Sequence, residues 1–371
     1  MNNSIPSWTY RYDIDENRDD YIKLINKVFD SGRLLFGEEL ENFQQEFAKY
    51  IRVKYGIGCD NATNGLFLAL KAIGIEQNDE VITVPNTAIP TISAIRQAGA
   101  KPVFVDVNNY GLMDINELEK KINKKTKAII PVHLYGFPCD ILKICEISQI
   151  FKISVIEDCS QAHGSEFDNK KVGSFGDLSV FSFYPTKSLG GFGDAGMICT
   201  NNQEYSSKLK KLRFYGIEKN YTADIDGYNS RMDEIHAAIL RFKLKKLDKN
   251  ISEREKIANY YKRHIKQKNL KPLNHPPKTK ISNYLIPFLF NDDRDKFQQK
   301  LLKEGIGTNV SYRVPIHLMP AYLNLGYKKN DFPQSELIAN RQVSLPIYPE
   351  INTKMIKYVS SEINTWLRNS I

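Results

Sequence analysis

Four short apolar runs, at residues 81–84, 103–105, 128–134 and 153–156, constrain the fold of this chain more than any single motif. They are rich in β-branched residues, too short for helices, and show little alternation of apolar with polar side chains. Strands of that kind are covered on both faces, as in a parallel sheet packed between helices. Helix-spaced segments lie between them at 114–122 and 140–150, and residues 38–50 carry Leu40, Phe43, Phe47 and Tyr50 on one face. Another helix is read at 21–29, ending at Ser31, Gly32 and Arg33. The alternation predicts an α/β fold, a large domain with a mostly parallel sheet and helices on both of its faces. With 371 residues two domains are expected. Strand-like runs at 284–290 and 305–310 and a helix-like tail at 353–367 predict a smaller C-terminal α/β domain. The division is set at residues 1–250 and 251–371.

The net charge is +9, which raises the question of nucleic acid. Residues 241–280 hold 14 Lys or Arg against three acids, an excess larger than that of the whole chain. The charge is therefore local, on what reads as one long amphipathic helix and a following linker, without the interleaved aromatics of a single-strand platform. A solvated helix face is the plainer reading, and no nucleic acid is expected. The five cysteines, Cys59, Cys139, Cys145, Cys159 and Cys199, form no CxxC pair, so neither a disulfide framework nor a metal site is expected. No apolar run reaches 18 residues, and the polar, acidic first twenty residues lack a signal-peptide core. The expected place is the cytoplasm, away from membranes.

The run at 153–156 ends on Glu157 and Asp158. A second run at 178–183 ends in Tyr184, Pro185, Thr186 and Lys187, followed by Gly190, Gly191, Gly193 and Gly196. In open α/β sheets ligands sit outside the carboxyl ends of strands, so an acid at one end and a lysine at another can face one pocket. Pyridoxal phosphate asks for this pair: a lysine to condense with its aldehyde and a carboxylate to keep its ring nitrogen protonated. A lysine on a loop is otherwise an ordinary solvated charge. Thr63 stands before a helix carrying Leu66, Leu70 and Ile73 on one face, where it can cap the helix or, with free amides, bind an anion. Two glycine patterns are set aside. At Gly56 and Gly58 the third glycine is Asn61, and Gly191, Gly193 and Gly196 lead into strand-like residues rather than a helix.

The strings VIEDCSQAHG, VGSFGD and FSFYPTKSLGGFGDAG together resemble the signature of the DegT/DnrJ/EryC1/StrS family of fold-type I, pyridoxal-phosphate-dependent nucleotide-sugar aminotransferases. The resemblance runs from about residue 31 to 348. It implies Lys187 as the catalytic lysine. It implies Ala62, Thr63, Asp158, Gln161, Ser182, Lys187 and Asn229 as cofactor-binding residues, with Asn229 reaching the phosphate of the neighbouring subunit of a homodimer. Ala62 stands where the family commonly has glycine. His163 matches as well, in a structural or a catalytic role. Tyr184, Tyr215, Tyr312 and His317 fall on substrate-side positions; locally, His317 is as well explained as a core histidine. In PNTAIPTISAI, Ala88 stands where many members have an aromatic that stacks on the ring; the non-aromatic sequence here resembles chiefly that of members acting at carbon 3 of the sugar. The implied reaction transfers an amino group from glutamate to a nucleotide-linked ketosugar, with carbon 3 of a dTDP-3-keto-6-deoxyhexose favoured. The alternatives are carbon 4 of a dTDP-, UDP- or GDP-linked sugar and, more distantly, a non-catalytic regulator that binds the cofactor. The product would serve surface polysaccharide such as lipopolysaccharide O-antigen, or a glycosylated natural product.

Overall fold

A computed structural model describes residues 4–369; the five residues beyond them, which the expected domain limits include, lie outside the described residues. Seven strands form the main sheet: β1 (Tyr55–Cys59), β2 (Glu80–Thr83), β3 (Lys101–Phe104), β4 (Thr126–Ile129), β5 (Ser154–Asp158), β6 (Leu178–Ser182) and β7 (Gly196–Thr200). Their order is β1-β7-β6-β5-β4-β2-β3. From β6 to β3 every pair is parallel, whereas β7 runs antiparallel to both β6 and β1. The glycine-rich loop between β6 and β7 explains the reversal, because a parallel return needs a crossover element and this loop holds no helix.

Burial on both faces is visible residue by residue. Val81, Ile156 and Val180 join one core cluster, while their neighbours Ile82, Val155 and Phe181 join the other. The covering helices include α1 (Arg11–Asp30), α2 (Glu38–Ile51), α3 (Ala62–Ala72), α4 (Ile89–Gln97), α5 (Ile115–Lys121), α6 (Ile141–Phe151), α7 (Gln203–Leu212) and α8 (Glu234–Leu244). A third core gathers Ile5, Ile257, Phe288, Phe297, Val343 and Val359. It lies among α9 (Leu247–His264), α10 (Arg294–Lys303), α12 (Thr353–Asn369) and a small antiparallel sheet of β8 (Leu270–Pro272), β9 (Pro287–Phe290) and β10 (Gln342–Ser344). The change of core falls within α9, between Ile251 and Ile257. Residues 316–338 return to the large sheet, where Ile316 and Phe332 join one of its clusters and Ile338, in α11 (Pro333–Arg341), joins the other.

Several elements differ from the sequence expectation. The single basic helix is two, α8 and α9, divided after Leu244. The first helix begins at Arg11, and its polar first half is held by contacts no periodicity reveals. Asp13 accepts from the Tyr21 hydroxyl at 2.8 Å and meets Lys243 Nζ at 2.9 Å. In the run at 128–134 the continuous strand ends at Ile129, before Pro131, which has no N–H for a ladder, and Val132 adds an isolated bridge to Asp158. Residues 305–310 form no strand, only isolated bridges at Ile306 with Ile5 and Asn309 with Ser344. Among the described residues no helix is long and apolar enough to cross a membrane.

Candidate active site

Asp158 closes β5 at the carboxyl end of the parallel strands and is 5% exposed. Its Oδ2 accepts from the Thr91 hydroxyl at 2.9 Å, and its Oδ1 from the Ser160 amide at 3.1 Å. Strand alternation turns its neighbour Glu157 to the other side. There the fully buried Glu157 carboxylate accepts the amides of Gly173, Phe175 and Gly176, each at 2.8 Å, and lies 3.1 Å from His133 Nε2. Burial alone pushes Glu157 up, but the His133 bond and the amides outweigh it and hold the acid below its ordinary range. Of the two acids, one therefore faces the cavity and the other fixes the loop that enters β6.

Lys187 sits on the turn after β6, its amide donating to the Tyr184 carbonyl at 2.9 Å. Its ammonium lies 4.9 Å from the centre of the Tyr284 ring, whose hydroxyl is 3.2 Å from Thr186 Oγ1. A side chain at Gly190 would meet the carbonyl of Pro185, so glycine is needed for the turn to close.

The head of α3 supplies the opposite wall. Asn61, not Thr63, is the cap: its Oδ1 accepts the Asn64 amide at 2.9 Å. Thr63 thereby falls in the first turn, beside amides at the positive end of the helix dipole. Asn64 and Ser230 in turn both donate to Asp60, which ties residues 229–230 to the back of this turn.

These pieces enclose a cavity of about 480 Å³ that brings together Ala62, Thr63, Asp158, Gln161, Ser182, Tyr184 and Lys187. Gln161 is oriented by its surroundings. Its Oε1 accepts from the Tyr135 amide at 2.8 Å and its Nε2 donates to the Tyr312 hydroxyl at 3.0 Å, leaving a second Nε2 hydrogen to give. Tyr312 thus reaches the site through Gln161, and burial pushes its phenol well above the ordinary range, so it is a neutral hydroxyl. Asn229 lines a separate hollow of about 190 Å³ with Asn64 and Tyr228, and Tyr215 is 41% exposed with Arg231 over its ring. The structure does not bring His317 to the cavity. It is fully buried, 3.1 Å from Glu336 Oε1 and edge-on to Phe332. His163 is also fully buried, against Phe181 and Phe183. Burial, with the charge of Lys187 added, pushes it down to about 3, so it is neutral.

The fit to pyridoxal phosphate rests on this arrangement of charge. A helix N-terminus with Thr63 and Ser182 suits a phosphate, Asp158 suits a protonated ring nitrogen, and Lys187 suits an aldehyde. Among the lining residues Tyr184 is the one aromatic, and Ala88, Thr87 and Thr91 line the wall where an aromatic was in doubt. Sequence reasoning missed Asn61, Thr87, Thr91 and Ser160. The hydroxyls four residues apart at the start of α4 were the available signal.

A family model described as the DegT/DnrJ/EryC1/StrS aminotransferase family matches residues 15–364. The chain is 39% identical over 350 residues, 93% of its length and 94% of the relative's, to the dTDP-3-amino-3,4,6-trideoxy-alpha-D-glucose transaminase of Micromonospora megalomicea subsp. nigra. It is 41% identical over 347 residues, covering 92% and 94%, to the dTDP-3-amino-3,6-dideoxy-alpha-D-galactopyranose transaminase of Aneurinibacillus thermoaerophilus. The crystal structure of S. venezuelae DesV in complex with ketimine intermediate matches with a TM-score of 0.95 at 34% identity, over 98% of both chains.

Proposed function

The chain belongs to the DegT/DnrJ/EryC1/StrS aminotransferase family of pyridoxal-phosphate-dependent sugar aminotransferases, and from that premise we propose that it aminates carbon 3 of a dTDP-linked 3-keto-6-deoxyhexose with glutamate as donor. The observation that carries the carbon and the nucleotide is that two relatives at 39% and 41% identity are both named for dTDP-3-amino sugars. Ala88 in the cavity wall, where an aromatic would narrow the site, supports the same reading.

Pyridoxal phosphate, when bound, supplies the aldehyde that carries the amino group and the ring that takes up electrons from the reacting carbon. The amides at the head of α3, with Thr63 and Ser182, hold its phosphate. Asp158 would keep its ring nitrogen protonated, and Gln161 would have its remaining Nε2 hydrogen to donate to the phenolic oxygen. Lys187 Nζ would serve both as the anchoring amine and as the base that carries a proton to and from the sugar carbon. Its position against Tyr284 keeps the amine at the cavity edge. Tyr184, 51% exposed on the rim, stands where a sugar nucleotide enters, with Tyr312 deeper behind Gln161.

Asn229 serves the phosphate of a second subunit in this reading, which agrees with its lining a hollow separate from the cavity of its own chain. A homodimer with shared sites follows. The product feeds a surface polysaccharide or a glycosylated natural product made from cytoplasmic nucleotide sugars. The test is a panel of dTDP-3-keto, dTDP-4-keto, UDP-4-keto and GDP-4-keto sugars offered with glutamate and other donors, the new amine being located by NMR. An amine at carbon 4, or turnover confined to UDP or GDP sugars, overturns the proposal.

A further inference from the structure

Behind Asp158 stands a chain of hydroxyls. The Thr91 oxygen is 2.9 Å from Asp158 Oδ2 and 3.1 Å from the Thr87 oxygen. Thr87, Thr91 and Asp158 are 1%, 0% and 5% exposed, so water hardly competes for these groups. The direction of the chain follows from counting hydrogens. An ionised carboxylate only accepts, so Thr91 gives its single hydroxyl hydrogen to Asp158, and Thr87 must then donate to Thr91. Thr91 also lies in the first turn of α4, which places the positive end of that helix behind the carboxylate. Both features, with the Ser160 amide on Oδ1, fix the direction in which the carboxylate points.

We propose that Thr91, oriented by Thr87, is a positioning residue for the transamination. Its hydroxyl keeps the Asp158 carboxylate aimed into the cavity, so that it stays against the cofactor's protonated ring nitrogen. This rests on Asp158 being the partner of that nitrogen. Without the hydroxyl, the carboxylate is free to turn from that nitrogen, which then keeps its proton less well, and the ring loses part of its pull on electrons.

The experiment loads native protein, Thr91→Val, Thr91→Ser and Asp158→Asn with pyridoxal phosphate labelled with ¹⁵N in the ring, and records the nitrogen resonance together with kcat and KM. Thr91→Val is expected to move the resonance toward that of a neutral pyridine and to lower kcat between about tenfold and a hundredfold, the worth of one hydrogen bond to a charged group, with KM little changed. Thr91→Ser, which restores a hydroxyl, keeps the native resonance and stays within about twofold in kcat. Thr91→Ala removes the hydroxyl without adding a buried methyl and takes the place of the valine variant if that protein does not fold. A native resonance in the variant that lacks the hydroxyl, or a serine variant as impaired as that one, overturns the proposal. Asp158→Asn separates the two levels. A shifted resonance there with none at Thr91 removes only the hydroxyl chain, whereas a native resonance in Asp158→Asn removes the assignment of Asp158 itself.

Discussion

Gly196→Ala tests whether the head of α3 is a built cradle for the cofactor's phosphate. A Cβ at residue 196, the first of β7, would stand 2.7 Å from the carbonyl carbon of Asn61 and 2.9 Å from both the Asn61 oxygen and the Ala62 nitrogen. Ordinary contact begins at 3.4 Å, so the backbone at the head of α3 must retreat by about 0.7 Å, the difference between 3.4 and 2.7 Å. Rotating a side chain cannot relieve this, because the atoms met belong to main chain fixed by the Asn61 cap and by the pairing of Cys59 with Gly196. Overpacking of this kind costs about 1–3 kcal/mol. Because the displaced atoms include the amides assigned to the phosphate, the loss is expected as a fall in cofactor affinity of about fivefold to a hundredfold. Titrating cofactor-free protein with pyridoxal phosphate and following the absorbance measures it. Gly191→Ala is the control: it lies in the same loop, but a Cβ there meets nothing nearer than 3.5 Å. If both variants fold and bind the cofactor equally well, the cradle reasoning is refuted.

Glu157→Gln sets an NH2 group against buried donors that the carboxylate now accepts, and each donor left unmatched costs about 1–3 kcal/mol, so the unfolding midpoint should fall clearly at neutral pH. Glu157 lies below its ordinary value of 4.5 in the folded protein, so its contribution is full above that value and is lost as the pH falls through the lowered one. The gap between native and variant midpoints should therefore narrow in acid; a constant gap would mean that the charge plays no part. Lys187→Ala should remove both turnover and the mass increase seen after borohydride treatment of the loaded native enzyme, and a variant that still gains that mass would place the anchor elsewhere. Lys187→Ala and Asn229→Asp, each inactive, should recover up to half the activity of a native dimer per mixed dimer once subunits exchange, since one site then carries both native residues. Mixed dimers seen by native mass spectrometry without recovered activity would count against a shared site.

The α/β architecture and the placing of Asp158 and Lys187 at neighbouring strand ends were legible in the sequence because their signals are local. Short apolar β-branched runs alternating with helix-spaced segments read as strands buried on both faces, and such strands put chemistry at their carboxyl ends. Local signals also placed helix starts to within a few residues, as at Asp114 and Asp140, which cap α5 and α6. They could not decide between residues with equal local claims. Glu157 and Asp158 both look like site acids, and His317 looks as much like a substrate-side residue as a core residue. Each choice was made by partners far along the chain: Gly173 to Gly176 for Glu157, Glu336 for His317, and Thr91, 67 residues away, for Asp158. Such pairings carry no sequence signature. They arise because a buried polar group must find a partner in whatever the packing brings within reach, and packing is fixed only when the whole sheet and its helices assemble.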